Sequence, residues 1–269
     1  MQTKKYRPRI DRQLWLVQHG HSPIISCALN NGHLIRPEIA DILALSEDEQ
    51  LREENPYTAM WTTITDTRII GLRSRFELDL NRPKETAIYS KPDDVKDMKI
   101  WKRPPGKDVL IQLIKAHKTF YSDVYGILKN IEEQFGHFVV FDFQSYNHRR
   151  AGEAESCAPQ KENPDINIGT NTMHIGYWNP LIDGFIEDLR LFDFMGKRLD
   201  IRKNIKFKGS YFTDWVNHSF PKTGCAIVVD VKKIFMDEWT GELFPEVHES
   251  IRQALLVGKA GMMRRLEEY

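Results

Sequence analysis

The residues with chemical capacity sit at a few points along the chain. In VVFDFQSYNHRR, residues 139–150, an apolar run from Phe138 to Phe143 gives way to Gln144, Ser145, Asn147, His148, Arg149 and Arg150. A buried strand that ends in dense polar chemistry is where α/β enzymes place their working groups. Yet the first side chain after Asp142 on its side of the strand is Gln144, a poor acid, base or metal ligand. His19 and His21 stand two apart in QHGH, a spacing that on a strand puts both on one face and lets them share a metal. Two ligands leave a zinc site incomplete, so an exposed turn with two ordinary histidines is the simpler account.

The stretch SRFELDLNRP, residues 74–83, is a second constellation. Extended, it turns Arg75, Glu77 and Asp79 one way and Phe76, Leu78 and Leu80 the other, with Asn81 and Arg82 at its end. An adjacent amide and guanidinium can grip a carboxylate; equally, Arg82 can pair internally with Asp79 or Glu77. Asp230 is the third point, a carboxylate interrupting the apolar run CAIVVDV. Burial requires it to have a partner, so it is either a general base or an ion pair with Lys232 on the same face.

These groups need elements to hold them. Residues 14–17 (LWLV) and 24–29 (IISCAL) read as strands. Ser46 and Glu49 form a capping-box pattern for a helix to about Glu54, stopped by Asn55-Pro56. Residues 68–81 read as an extended, half-buried segment and 90–107 as a surface loop. From Asp108 to Phe135, apolar residues recur at helical spacing before Gly136. Residues 138–143 follow as a strand, 151–164 as loop, 165–170 as a short strand and turn, and Asn179-Pro180 opens a helix to about Met195. Residues 199–204 and 225–231 are further strands, and the tail from Pro245 is helical. Strands alternating with helices, several of them apolar throughout, predict a three-layer α/β domain with a mostly parallel or mixed sheet.

Composition narrows the partners. The 269 residues carry 38 basic and 38 acidic side chains, so no global positive field exists to hold nucleic acid or an anionic membrane. The pairs Arg149-Arg150, Lys232-Lys233 and Arg264-Arg265 read as solvated surface. No apolar stretch approaches a membrane span, and the charged start lacks a signal-type apolar segment, so secretion is not expected. Cys27, Cys157 and Cys225 are widely spaced and odd in number, which suits a reducing cytoplasm and argues against a disulfide framework.

Taken together, NNGH, REENPYT, SRFELDLNRP, FDFQSYNHRR, INIGT, NIKFKGS and FMDEWTGE resemble the N-formylglutamate amidohydrolase family, in order from about residue 24 to residue 242. The match is most similar to a branch with its own SYNHRR and MDEWTGE signatures. The resemblance implies one domain over 1–269, with the three-layer α/β/α fold of the zinc carboxypeptidases. It also implies hydrolysis of an N-acyl amide of an acidic amino acid by metal-bound water, with two imidazoles and a carboxylate on the metal.

Carried over by position, Arg75, Asn81, Arg82, His148 and Arg149 match residues of the family and branch motifs, with substrate binding the implied role. The metal-ligand positions fall on Asn30, Asn55 and Gln144, and the general-base position on Asp230. Neutral amides bind zinc far more weakly than imidazole or carboxylate. The expectation is therefore a pocket for a small acidic ligand such as an N-acyl amino acid, with no cofactor and hydrolysis absent or weak. The alternative is an active amidohydrolase whose zinc draws displaced ligands from His33, His148, His19 or His21, with Asp230 as ligand or base. A third possibility is a metal-free acid–base pair of Asp230 and His148.

Overall fold

The computed structural model describes residues 13–89 and 98–269. Seven strands form one mixed sheet: β1 (Trp15–Gln18), β2 (Ile24–Ala28), β3 (Thr67–Gly71), β4 (Phe138–Tyr146), β5 (Ile166–Gly169), β6 (Ile201–Lys203) and β7 (Gly224–Lys232). Their order is β1-β3-β2-β4-β7-β5-β6. Strands β3, β2, β4 and β7 run parallel, β1 is antiparallel to β3, and β5 is antiparallel to β7 but parallel to β6. The helices are α1 (Pro37–Ala40), α2 (Glu47–Glu53), α3 (Thr58–Trp61), α4 (Lys107–Phe135), α5 (Ile175–Leu191), α6 (Tyr211–Ser219) and α7 (Pro245–Leu266).

Side-chain alternation along the central strands builds two cores. Val139, Phe141 and Phe143 of β4 and Ile227, Val229 and Val231 of β7 face α5 and α7. Phe138, Val140 and Ala226 face the other way, onto α4 and α6. Burial on both faces explains why these strands read as unbroken apolar runs. The three-layer α/β/α arrangement with a mixed sheet is thus the one expected.

The differences are local and have physical reasons. Strand β4 runs on to Tyr146 because Gln144, Ser145 and Tyr146 keep pairing with Asp230, Val231 and Lys232. Helix α5 starts at Ile175 rather than Asn179. Pro180 then forgoes only the bond to the carbonyl of Gly176, an exposed residue in the first turn. Beyond Gly71 the chain does not stay extended: the amides of Glu77 and Leu78 bond back to the carbonyl of Ser74 in a tight turn. That turn abolishes the alternation expected for Arg75, Glu77 and Asp79, and Phe76 to Leu80 are all buried. Of the loop expected at 90–107, residues 90–97 lie outside the described residues and 98–106 carry no helix or strand.

Helix α6 was not anticipated in the sequence. Its start is a capping box of Ser210 with Thr213, and its buried face includes the polar Thr213 and Asn217. Asn217 has a specific task. Beyond β4, the neighbour of β7 is β5, which pairs only from Val228 onward, so Ala226 has a free backbone edge. The Asn217 amide fills it, donating to the carbonyl of Ala226 at 3.0 Å and accepting from its N–H at 2.8 Å. Asn217→Ala should strip two buried backbone groups of partners and cost about 2–4 kcal/mol. Urea denaturation measures this, and a loss below half a kilocalorie would show that water replaces the amide.

Candidate ligand-binding site

The parallel strands β2, β4 and β7 end at the same rim, and the α4/α6 side of the sheet changes character as it approaches that rim. On β4 this face reads Phe138, Val140, Asp142, Gln144; on β7 it reads Ala226, Val228, Asp230. Gln144 pairs in register with Asp230, and Asp230 with Asn167 of β5. A polar row therefore crosses three strands above an apolar floor.

Asp142 is fully buried and anchors this region. One oxygen, Oδ2, accepts hydrogen bonds from Gln144 Nε2 (2.7 Å), Ser210 Oγ (2.8 Å) and Asn81 Nδ2 (3.2 Å). Burial pushes its carboxyl up to about 6 against the pull of those three donors. Asp230, also buried, accepts from Asn167 Nδ2 at 3.1 Å. Burial raises its carboxyl to about 8, opposed by the Asn167 bond and assisted by the charge of Asp142. The two carboxyls thus differ, and Asp230 is the one that keeps its proton to the higher pH. Its sequence-level alternative, an ion pair with Lys232, is not formed: Lys232 bonds Asp165 at 2.7 Å and Gln160 at 2.6 Å.

In front of this row lies a cavity of about 310 Å³, lined by residues from α2, the 74–76 turn, β4 and its following loop, and β7. Asn55, Gln144, Arg75 and Asp230 all border it, as do Lys233, Arg52, Arg150 and Glu53. Asn55 donates to the carbonyls of Glu54 (3.2 Å) and Ser145 (2.9 Å) when its amide is oriented to satisfy its neighbours. Its backbone N–H bonds the carbonyl of Asn30 at 2.9 Å, so Asn30 lies directly behind it. Asn30, Asn55 and Gln144, the positions to which the resemblance assigns metal ligands, are therefore neighbours in space. Asn30 Oδ1 is buried without a partner among the described residues.

Arg75 is held rigidly at the cavity wall. Its Nε donates to Tyr89 Oη at 2.7 Å and its Nη2 to Asp79 at 2.8 Å, while Tyr89 also bonds Asp79. Nη1 has only a long 3.4 Å contact to the carbonyl of Glu53. Arg82, in contrast, stacks its guanidinium 4.8 Å over the Tyr89 ring and does not line the cavity. Asn81 faces inward too, bonding Asp142 and accepting from the Phe212 N–H at 3.0 Å. Asn81 thus ties the 74–83 segment to α6 rather than lining the cavity.

His148 and Arg149 also stand outside the cavity lining. Glu238 accepts the backbone N–H of both, at 2.8 and 2.7 Å, and its carboxylate is 3.4 Å from His148 Nδ1. Burial opposes ionisation of Glu238, but these donors outweigh it and hold its carboxyl below the ordinary range. Arg149 pairs with Asp237 at 2.9 Å, and Trp239 Nε1 bonds the Arg149 carbonyl at 3.1 Å. The stretches SYNHRR and MDEWTGE meet as one loop clamp. Ser145, Tyr146, Asn147 and Arg150 of SYNHRR do border the cavity, Arg150 paired with Glu53 at 2.9 Å.

The displaced-ligand set does not converge. His33 bonds Glu54 at 2.6 Å, and His21 packs against Phe135 at the opposite end of the sheet. Among the described residues, no three His, Cys, Asp or Glu side chains are grouped to hold a metal. The residue that sequence reasoning missed is Lys233, read as half of a solvated basic pair and in fact 1 % exposed. Its Nζ donates to the carbonyls of Arg52 (2.6 Å) and Glu54 (3.0 Å) at the end of α2, and burial lowers its ammonium to about 7 against the pull of Glu53 and Glu238. Its one available signal was its place directly after an apolar strand.

The model of the N-formylglutamate amidohydrolase family matches residues 22–233. The chain belongs to that family. An N-formylglutamate amidohydrolase from Ralstonia eutropha superposes with a TM-score of 0.72 at 14 % identity, over 95 % of this chain and 97 % of that one. A gene product of Agrobacterium tumefaciens superposes with a TM-score of 0.64 at 16 % identity, over 96 % and 97 %. At such identities the likeness is one of fold. No curated protein matches the chain significantly in sequence. Within this N-formylglutamate amidohydrolase fold, no membrane-crossing helix exists among the described residues.

The carboxyl of Asp230 has a consequence for stability. A group whose folded value lies above its unfolded one keeps its proton in the native state after the unfolded chain has lost it. Stability therefore falls as pH rises from about 4 to about 8, by up to roughly 1.4 kcal/mol per pH unit, and levels off above. Asp230→Asn has no such proton, so its stability relative to the wild type should rise across that window. Urea denaturation at several pH values tests this; parallel curves would mean Asp230 is ionised in the folded protein.

Proposed function

We propose that this N-formylglutamate amidohydrolase-like chain binds a small acidic ligand, such as an N-acyl amino acid, with metal-dependent hydrolysis absent or weak. The observation that carries the reading is Arg75: Tyr89 and Asp79 fix its position at the wall of a cavity of ligand size, and its Nη1 is met only by a long 3.4 Å bond to the Glu53 carbonyl. A guanidinium already locked by Tyr89 and Asp79 loses little freedom on gripping a carboxylate. Asp230, when it holds its proton, offers a hydrogen bond to a carbonyl oxygen.

The donor set does not suit a divalent metal. Asn30, Asn55 and Gln144 are neutral amides, and Gln144 spends its nitrogen on Asp142. Glu54, the carboxylate next to Asn55 in sequence, is bound by His33 and Ser74. Arg52, Arg75 and Arg150 border the same space beside Glu53 and Glu54, and a guanidinium there favours an anion over a metal ion. No hydrolytic step through a metal is therefore assigned.

The reading predicts calorimetric binding of N-formyl- or N-acetyl-glutamate without release of the acyl group. It also predicts no zinc held tighter than about micromolar. One tightly bound zinc per chain, with zinc-dependent release of formate, would instead establish an active amidohydrolase. A second expectation concerns the clamp: Arg75→Ala should weaken the acidic ligand by about 1.5–3 kcal/mol, the range for a hydrogen bond to a charged group. Arg82→Ala should change affinity far less, since its guanidinium lies on Tyr89. The reverse ranking would move the carboxylate to the 81–82 pair.

A further inference from the structure

A second cavity, of about 420 Å³, opens between α4, the start of α1, the residue before β1 and the segment after β3, lined by Leu14, Arg36, Glu38, Arg73, Gln112 and Ala116. It shares no residue with the cavity bordered by Arg75. At its base is Arg73, only 6 % exposed. Its Nε and Nη2 make no hydrogen bond among the described residues. The nearest carboxylate, Glu77, lies 4.0 Å from Nη1, on the other edge of the guanidinium. Glu77 is itself committed to Arg36, accepting from its N–H and its Nε at 2.8 Å each. Glu38, the remaining acid of the cavity, is exposed and lies 3.9 Å from Arg36.

A guanidinium cannot shed its charge, so burial leaves two donors and a positive charge that require a partner. The two open groups form one edge of the guanidinium, the edge that meets two oxygens of a single anion side by side. Arg36 and the exposed Gln112 stand at the same opening, each able to donate to further oxygens. We propose that Arg73 is a binding site for a small oxyanion, a carboxylate or phosphate group held two-pronged by Nε and Nη2, separate from the Arg75 cavity.

The test titrates inorganic phosphate and malonate into the full chain, each against chloride at matched ionic strength. Saturable binding should appear in the wild type, persist in Arg75→Ala, and weaken about tenfold or more in Arg73→Met. Tighter phosphate than malonate identifies a phosphate-bearing ligand, and the reverse a carboxylate. Should Arg73→Met fail to fold, wild-type crystals soaked in selenate decide: an anomalous peak within hydrogen-bond distance of Nε and Nη2 supports the site. No saturable binding, loss in Arg75→Ala but not in Arg73→Met, or no selenate at Arg73 overturns it. The Arg75 reading rests on its own ligand, so either proposal can fail without the other.

Discussion

The buried carboxylate of Asp142 is the interaction on which the site depends. A carboxylate in the interior is costly unless several donors reach it, and three do, each from a different part of the chain: Gln144 on its own strand, Ser210 at the start of α6, and Asn81 after the 74–78 turn. Satisfying one charge thereby joins the sheet to α6 and to the segment that carries Arg75. It also orients Gln144, whose nitrogen is spent inward. The polar row at the ends of β4 and β7 can then exist above an apolar floor without orphaning its groups.

Two carboxyls lie on this face, on adjacent strands, and they are not equivalent. Asp142 has three donors and Asp230 has one, Asn167. The difference in solvation leaves Asp230 the more readily protonated of the two. The same logic reaches Lys233, whose buried amine is met by backbone carbonyls from the end of α2 instead of by a carboxylate. The cavity is thus polar, with Arg52, Arg75, Arg150 and Lys233 bordering it beside the carboxylates of Glu53 and Glu54.

Around the cavity, charged side chains act mainly on one another. Glu238 holds the loop after β4 by its backbone amides, and Arg149 and Trp239 close the contact from either side. Gly241, with φ of +75°, allows the sharp return of the Asp237–Glu242 turn and lets Leu51 approach where a Cβ would stand 2.5 Å away. A run such as SYNHRR therefore serves the shape of the rim through His148 and Arg149, and the cavity through Ser145, Tyr146, Asn147 and Arg150.

Much of this was legible from residue order alone. Apolar periodicity located the strands β2, β4 and β7 and the long helix α4, since burial on both faces of a sheet or one face of a helix leaves a local trace. Motif order placed Gln144, Asn55 and Asp230 among candidate site residues, and the structure brings them to one cavity with Arg75. Periodicity could not tell that 72–79 turns back on itself, because Phe76, Leu78 and Leu80 alternate as in a strand although a turn buries all of them. Nor could it assign partners to charges. His148 and Arg149 are adjacent to Arg150 in sequence, yet Glu238, about ninety residues away, holds the first two to the loop clamp and leaves Arg150 to the cavity rim. Lys233 and Arg73 look like any surface cations until packing removes their water. Pattern and spacing set which segments are buried; which charges meet, and which stay open to a ligand, was decided only when distant segments packed together and desolvated them.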